Sequence, residues 1–266
     1  FKKYKLPEII QKKGEDPCMI KEKMELRKYQ EFASTFLDYR SPYRNILLYH
    51  GLGAGKTAAA INVYNILYNY TPGWNVFILI PASLKENPWL TDLNRWLSKD
   101  QKDERFNNIK FIHYDSPYAD REFINIVKES DSSKKPIYII DECHNFIKNV
   151  YNNINTGTGK RAHIIYDYIQ QDRRYNDNTR IILLSGTPAV NNPYELVLIF
   201  NLLRPDIFPS SEAKFKETYI IGNSLNENTK NMFQRRIMGL VSYYSGASKD
   251  LFASKKVYYK NILMSK

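Results

Sequence analysis

The sequence predicts an α/β fold in which helices cover both faces of a mostly parallel, doubly wound sheet. Five short apolar runs recur along the chain: "NILLYH" (45–50), "NVFILI" (75–80), "IKFIHY" (109–114), "PIYIID" (136–141) and "RIILLS" (180–185). They are continuous rather than alternating, as strands buried on both faces must be. Between them lie stretches of helical character near 56–70, 83–98, 119–130, 143–152, 160–171 and 192–203. Strand–helix alternation of this kind builds parallel sheets through crossover helices.

Residues 1–25 read as a basic N-terminal arm, irregular around Pro7 and "KKGEDP". The chain opens on Phe rather than Met, so a fragment, a processed product or a trimmed chain is expected. "LRKYQEFASTFLDYR" then places Leu26, Tyr29, Phe32, Ala33, Phe36 and Leu37 at helical spacing, and Ser41-Pro42 ends the helix. The first apolar run passes through glycines into the helix at 56–70. "NNINTGTGKRA" (152–162) reads as a polar loop. Beyond 205 the pattern changes. "SEAKFKETYI" and "TKNMFQRRIMGL" look helical, "GLVSYYSG" looks like a short strand, and "SKKVYYKNILMS" looks extended. The expected organisation is an arm (1–25), an α/β nucleotide-binding domain (26–204) and a helical extension and linker (205–266).

The 266 residues carry 39 Lys and Arg against 28 Asp and Glu, a formal net charge of +11. That excess suits a polyanion partner, and equally a solvated, lysine-rich surface. Two cysteines, Cys18 and Cys143, cannot build a disulfide framework or a cysteine zinc site. No apolar run approaches the ~20 residues that span a bilayer, and the basic start, broken by Pro7, is no signal peptide. An intracellular protein without membrane contact is expected.

The chemistry concentrates in three places. "HGLGAGKT" (50–57) joins a strand to a helix. Glycines such as Gly51, Gly53 and Gly55, with Ala54, let backbone amides turn inward around a phosphate, and the helix N-terminus adds partial positive charge. Lys56 can reach the β- and γ-phosphates of a nucleotide, and the Thr57 hydroxyl can take Mg²⁺. His50 stands where such loops carry their first glycine. "TGTGKR" (156–161) is only superficially similar, since no Ser or Thr follows Lys160 and no apolar strand precedes it. The second place is "PIYIIDECHNF". An acid at the C-terminal end of a strand, in a sheet with a phosphate loop, can hold Mg²⁺, which assigns Asp141. Glu142 beside it can orient and deprotonate a water. Cys143 reads as a packed small residue and His144 as a hydrogen-bonding coupler. The third is Ser185-Gly186-Thr187, whose hydroxyls can reach the acidic strand; a plain strand-to-helix turn is the other reading.

In this order, the phosphate loop, "DECH" and "SGTP" resemble motifs I, II and III of the superfamily two helicases and translocases. "LRKYQ" resembles their adenine-recognising motif, which implies Arg27 and Gln30 beside the base. "ILIPASLKENPW" resembles motif Ia, which implies Ser83 and Lys85 on a nucleic-acid backbone. "SGTPAVNNPYEL" followed by "LLRPDIF" is similar to the Swi/Snf branch. "HGLGAGKT", "DECHNF" and "GLVSYYSG" are similar to its large-DNA-virus members, the poxvirus-type early transcription factor small subunit and nucleoside triphosphatase I. The resemblance implies a RecA-like domain, ATP and Mg²⁺ as substrate and cofactor, and Lys56, Asp141 and Glu142 as catalytic residues. It implies His144, Ser185 and Thr187 as couplers, and nucleic acid, DNA before RNA, as partner. An RNA polymerase or transcription factor subunit is a further partner, and a viral protein would reside in the virion and the host cytoplasm. Such enzymes close ATP between two RecA-like domains, and the second supplies an arginine finger. No such motif is present here; "FQRRIMG" (233–239) has two arginines without its spacing. The chain is thus expected to be domain one with a linker toward a second domain. A non-motor ATP-binding switch or assembly module and the motor subunit of a restriction system are the alternatives.

Overall fold

The computed structural model describes residues 26–97, 104–157, 159–189, 191–222, 224–246 and 257–260. The expected basic arm and Cys18 lie outside the described residues, as does most of the segment past 246. Helix α1 (Lys28–Phe36) leads to β1 (Asn45–His50), α2 (Lys56–Tyr70) and β2 (Trp74–Ile80). A 3₁₀ turn (Ala82–Leu84) and a wide π turn (Lys85–Leu90) lead into α3 (Thr91–Trp96) and β3 (Ile109–His113). Next come α4 (Ala119–Glu129), β4 (Lys135–Ile140), α5 (Cys143–Thr156), α6 (Arg161–Tyr175) and β5 (Arg180–Ser185). The chain continues through α7 (Tyr194–Leu203), α8 (Glu212–Tyr219), the small hairpin β6 (Ile220–Ile221) and β7 (Ser224–Leu225), α9 (Glu227–Ile237) and β8 (Val241–Tyr244).

The main sheet has six strands in the order β3-β2-β4-β5-β1-β8, all parallel. Chain order reverses beside β4 and β1, so crossovers run to both faces and the apolar strands are covered twice, as their composition predicts. One core gathers Tyr138, Phe146, Ile165, Leu183 and Leu198 beneath α4 to α7. The other gathers Ile46, Tyr64, Trp74, Ile78 and Trp89 beneath α1 to α3.

Three expectations are corrected. The helix expected at 83–98 breaks at Asn87 (φ −137°, ψ 120°), next to Pro88, whose ring nitrogen has no N–H to continue a helical ladder. The acidic strand ends at Ile140, so Asp141 lies on the turn after it. The loop expected at 152–162 is mostly helix: α5 persists to Thr156 and stops at Gly157, left-handed at φ 64°, a common helix terminator. The short strand expected within "GLVSYYSG" is found at Val241–Tyr244, where it pairs with Leu47–His50 as the sixth strand.

Candidate active site

The phosphate loop is shaped where glycine is required. Gly55 is the N-cap of α2 in a left-handed conformation, φ 68° and ψ 45°, which L side chains resist. A Cβ there would stand 2.3 Å from Gln30 Nε2, and one on Gly51 would stand 2.6 Å from the Ser245 carbonyl oxygen. Loop amides and the first free N–H groups of α2 thus converge where an anion is favoured. Lys56 Nζ donates to the carbonyls of His50 at 3.0 Å and Gly51 at 3.4 Å, folding its ammonium over the loop. Thr57 is buried at the foot of α2. A Cβ on Gly186 would meet Lys56 Nζ at 3.9 Å, so the "SGT" turn lies against the lysine.

Two residues of α1 brace this loop. Gln30 Oε1 accepts from the Arg27 amide at 2.7 Å, while its Nε2 donates to Ala54 and Gly55 carbonyls at 3.1 and 3.0 Å. Both amide hydrogens of Gln30 therefore serve the loop, a role its sequence position did not suggest. Tyr29 donates its hydroxyl to the Ala54 carbonyl at 2.8 Å and stacks on Tyr244 at 4.0 Å. Arg27 is exposed beside them. His50, fully buried, shares a hydrogen bond with Ser242 at 2.9 Å. Burial and the neighbouring Lys56 charge press its imidazole down to about 4, so it is neutral at physiological pH.

Asp141 is 4% exposed. Its Oδ2 accepts from the Trp89 indole at 2.8 Å and its Oδ1 from the Glu142 amide at 2.9 Å. Burial raises its pKa; the two hydrogen bonds and the Lys56 charge oppose the rise, and the Glu142 charge adds to it. Glu142 turns the chain from strand to helix in a left-handed conformation, φ 45° and ψ 48°. A non-glycine residue there costs on the order of 1 kcal/mol. Tyr114 holds the turn, donating its hydroxyl to the carbonyls of Asp141 and Glu142 at 3.1 and 3.2 Å. Cys143 is fully buried and burial pushes its thiol pKa up, as a packed small residue should be.

His144 Nδ1 lies 3.0 Å from Ser185 Oγ and 3.3 Å from Glu142 Oε2. Ser185 Oγ also accepts from the Thr187 amide at 3.0 Å. One imidazole thereby joins the ends of β4 and β5, bringing together the side chains of His144, Ser185 and Glu142 and the backbone of Thr187. Ser83 and Lys85 stand apart, at the end of β2, with β4 and β5 between them and β1. Ser83 is exposed; the Lys85 ammonium lies 5.8 Å from the Phe111 ring centroid. Lys160 starts α6, far in sequence from any strand end.

Among the described residues no three His, Cys, Asp or Glu side chains cluster as a metal site. The donors on offer are the Thr57 hydroxyl and the Asp141 carboxylate, whose oxygens each accept one hydrogen bond and keep a lone pair. Such hard oxygens fit Mg²⁺, which retains waters and takes its remaining ligands from phosphates. Trp89, Tyr114 and Tyr29 were not singled out for this site. Each lies in a stretch the sequence singles out, "KENPW", "IKFIHY" and "LRKYQ", but none of their contacts has a local signature.

A family model described as the res subunit of type III restriction enzymes matches residues 23–190, more than half of the chain. The chain belongs to this family of superfamily two helicases. A candidate ATP-dependent RNA helicase of Acanthamoeba polyphaga mimivirus is 56% identical over 277 aligned residues, covering 100% of this chain and 34% of that protein. Nucleoside triphosphatase I of Choristoneura fumiferana entomopoxvirus is 30% identical, covering 90% of this chain and 37% of its own length. The chain therefore spans about a third of the curated relatives it matches. The superfamily two fold is also that of the Sulfolobus solfataricus SWI2/SNF2 ATPase core solved with double-stranded DNA. It superposes with a TM-score of 0.59 at 19% identity, over 83% of this chain and 44% of that one. The Swi/Snf-like, RecA-type architecture expected from the motifs is thus found. Among the described residues no helix is long and apolar enough to cross a membrane.

Proposed function

We propose that this chain is the first ATPase domain of a nucleic-acid-dependent translocase acting in viral transcription. It hydrolyses ATP to ADP and phosphate once a second RecA-like domain closes the cleft. One observation carries the reading. The phosphate loop, the acidic turn and the His144–Ser185 pair occupy the C-terminal ends of three adjacent strands, β1, β4 and β5. That is the edge where doubly wound sheets bind ligands.

Loop amides and Lys56 hold the phosphates; Arg27 stands beside the loop for the base, and Gln30, whose amide hydrogens hold the loop, keeps an Oε1 lone pair for it. Thr57 and Asp141 hold Mg²⁺, which supplies charge neutralisation at the phosphate oxygens when bound. The Glu142 carboxylate takes a proton from the attacking water as the water oxygen bonds to the γ-phosphorus and the bond to the ADP oxygen breaks. His144, Ser185 and Thr187 relay the cleft state toward the loop bearing Ser83 and Lys85, which touches nucleic-acid phosphates. Residues 26–204 carry the nucleotide-binding motifs, and 205–266, whose β8 returns to the same sheet, connect to the second domain, which supplies the arginine finger.

Duplex DNA is the favoured nucleic acid, supported by the DNA-bound structural neighbour. The restriction-motor reading is supported by the family description. The test is ATP turnover with and without DNA, in the full-length protein and in these residues alone. Glu142→Gln is expected to keep nucleotide binding and abolish turnover, and unchanged turnover removes Glu142 from the role of base. Strong DNA-stimulated turnover by the 266 residues alone would overturn the dependence on a second domain.

A further inference from the structure

The sheet has a second charged end. At the N-terminal edge of β1 and β5, opposite the phosphate loop, arginines collect from distant parts of the chain. Asn45 fixes this corner: its side chain donates to the Leu203 carbonyl at 2.7 Å and accepts from the Ile181 amide at 2.9 Å. Arg180 there is only 1% exposed, and its guanidinium lies 5.6 Å from the Trp74 ring centroid. It gives one hydrogen bond to the Asn178 carbonyl, while its Nε is buried without a partner. Burial and the charges of Arg44 and Arg173 press its pKa down to about 9. Arg173 also has a buried, partnerless Nε, and burial, Arg44 and Arg204 lower its pKa against the opposing pull of Asp177.

The cationic track continues onto α9. A groove of about 570 Å³ is lined by Arg204, Arg235, Arg236, Asn228, Asn231 and Met232. Arg236 is committed to structure: it donates to the Ile207 carbonyl, and its guanidinium lies 5.9 Å from the Phe208 ring centroid. Arg204 gives one bond to the Arg236 carbonyl at 3.2 Å, and it is exposed, as is Arg235. The acids near this edge are mostly engaged elsewhere. Asp38 accepts from the Arg40 amide, Asp172 accepts from the Tyr138 and Thr179 hydroxyls, Asp206 is held by Arg174 at 2.8 Å, Glu227 pairs with Lys230 at 3.1 Å, and Asp177 stands fully in solvent 4.0 Å from Arg173. Concentrated, poorly compensated positive charge is costly unless an anion answers it.

We propose that this edge is a second nucleic-acid contact, where backbone phosphates seat between Arg204 and Arg235 and follow the track toward Arg173 and Arg44. Guanidinium forks pair bidentately with phosphate, and the Asn228 and Asn231 amides add neutral donors. An acidic protein segment is the less favoured ligand, because Met232 is the one apolar side chain in the groove lining. The strand length between the two ends, roughly 20 Å for six residues, separates this contact from the nucleotide loop and from Ser83 and Lys85.

The experiment measures binding of a fluorescein-labelled duplex of about 20 base pairs against salt, for the full chain and its Arg204→Gln/Arg235→Gln variant. Each lost phosphate contact removes about 0.9 from the slope of log K against log[salt], so the slope is expected to fall by about 2. Binding should weaken roughly tenfold at low salt, while ATP turnover without nucleic acid and the melting temperature stay at wild-type values. A wild-type slope and affinity overturn the proposal. So does a variant that loses polyglutamate binding but keeps DNA, which reassigns the edge to an acidic protein. A Ser83→Ala/Lys85→Ala variant, measured alongside, reports on the motif Ia contact alone, so the two readings fail separately.

Discussion

Replacing Trp89 by Phe isolates how the buried acid is held. The indole Nε1–H is 2.8 Å from Asp141 Oδ2, and both residues are buried. Losing a hydrogen bond to a charged acceptor costs about 1.5–3 kcal/mol, and the space left by the smaller ring adds about 1 kcal/mol. A total of about 2.5–4 kcal/mol corresponds to a drop in Tm of about 5–15 °C for a domain this size. Asp141→Asn separates the two contributions, because a neutral acceptor keeps the packing and loses the charge. Chemical denaturation of wild type, both single variants and the double variant gives the coupling, expected at about 1–2 kcal/mol. Additivity within about 0.5 kcal/mol would show that the indole does not support the carboxylate. The pH dependence gives an independent check. Burial raises the Asp141 pKa above 3.8, so the native state binds more protons than the unfolded chain in the window above that value. Its contribution to stability falls as pH rises through that window. Trp89→Phe raises the native pKa further and must carry the fall to higher pH.

Gly55→Ala must place a Cβ 2.3 Å from Gln30 Nε2 at φ 68°; it is expected to lose about 1–2 kcal/mol and to weaken binding of an ATP analogue at least tenfold by calorimetry. Ser185→Ala removes the bridge between His144 and the Thr187 amide; DNA-stimulated turnover of the full-length protein should fall several-fold while unstimulated turnover holds, and equal losses would refute a coupling role. His50 is depressed from 6.5 to about 4, so the native state binds fewer protons between those values. Up to about 3 kcal/mol of stability should be lost as pH falls from 6.5 to 4. His50→Gln should flatten that limb in denaturant titrations.

Much of the fold was legible because it rests on local pattern. "RIILLS" is continuous apolar sequence, and β5 occupies 180–185 as expected. The helix expected near 56–70 is Lys56–Tyr70, since glycine marks its start and alanines favour helix. The overextended helix at 83–98 came from weighting apolar spacing above Pro88. The shortened α5 came from reading "NNINTG" as loop, when Val150 and Ile147, both buried, hold that helix to the core. For the candidate site, the motif positions were visible but their supports were not. Trp89 reaches Asp141 across 52 positions and Tyr29 reaches Ala54 across 25. No local pattern records such pairs, because they exist only once β2 lies beside β4 and α1 packs against α2. The arginines at the far edge were hidden likewise: Arg44, Arg180 and Arg204 read as isolated charges until Asn45 gathers their backbones.

The place of β8 sets an order of events for a growing chain. The phosphate loop is complete in sequence by Thr57, yet its Gly51 amide bonds to the Tyr244 carbonyl at 2.9 Å and its first turn packs on Ser245 and Gly246. A ribosome would have to release nearly 190 further residues before those supports arrive. Until then the loop has its glycines and lysine but lacks the wall at its back, so nucleotide affinity should mature late in synthesis, after the rest of the sheet has formed.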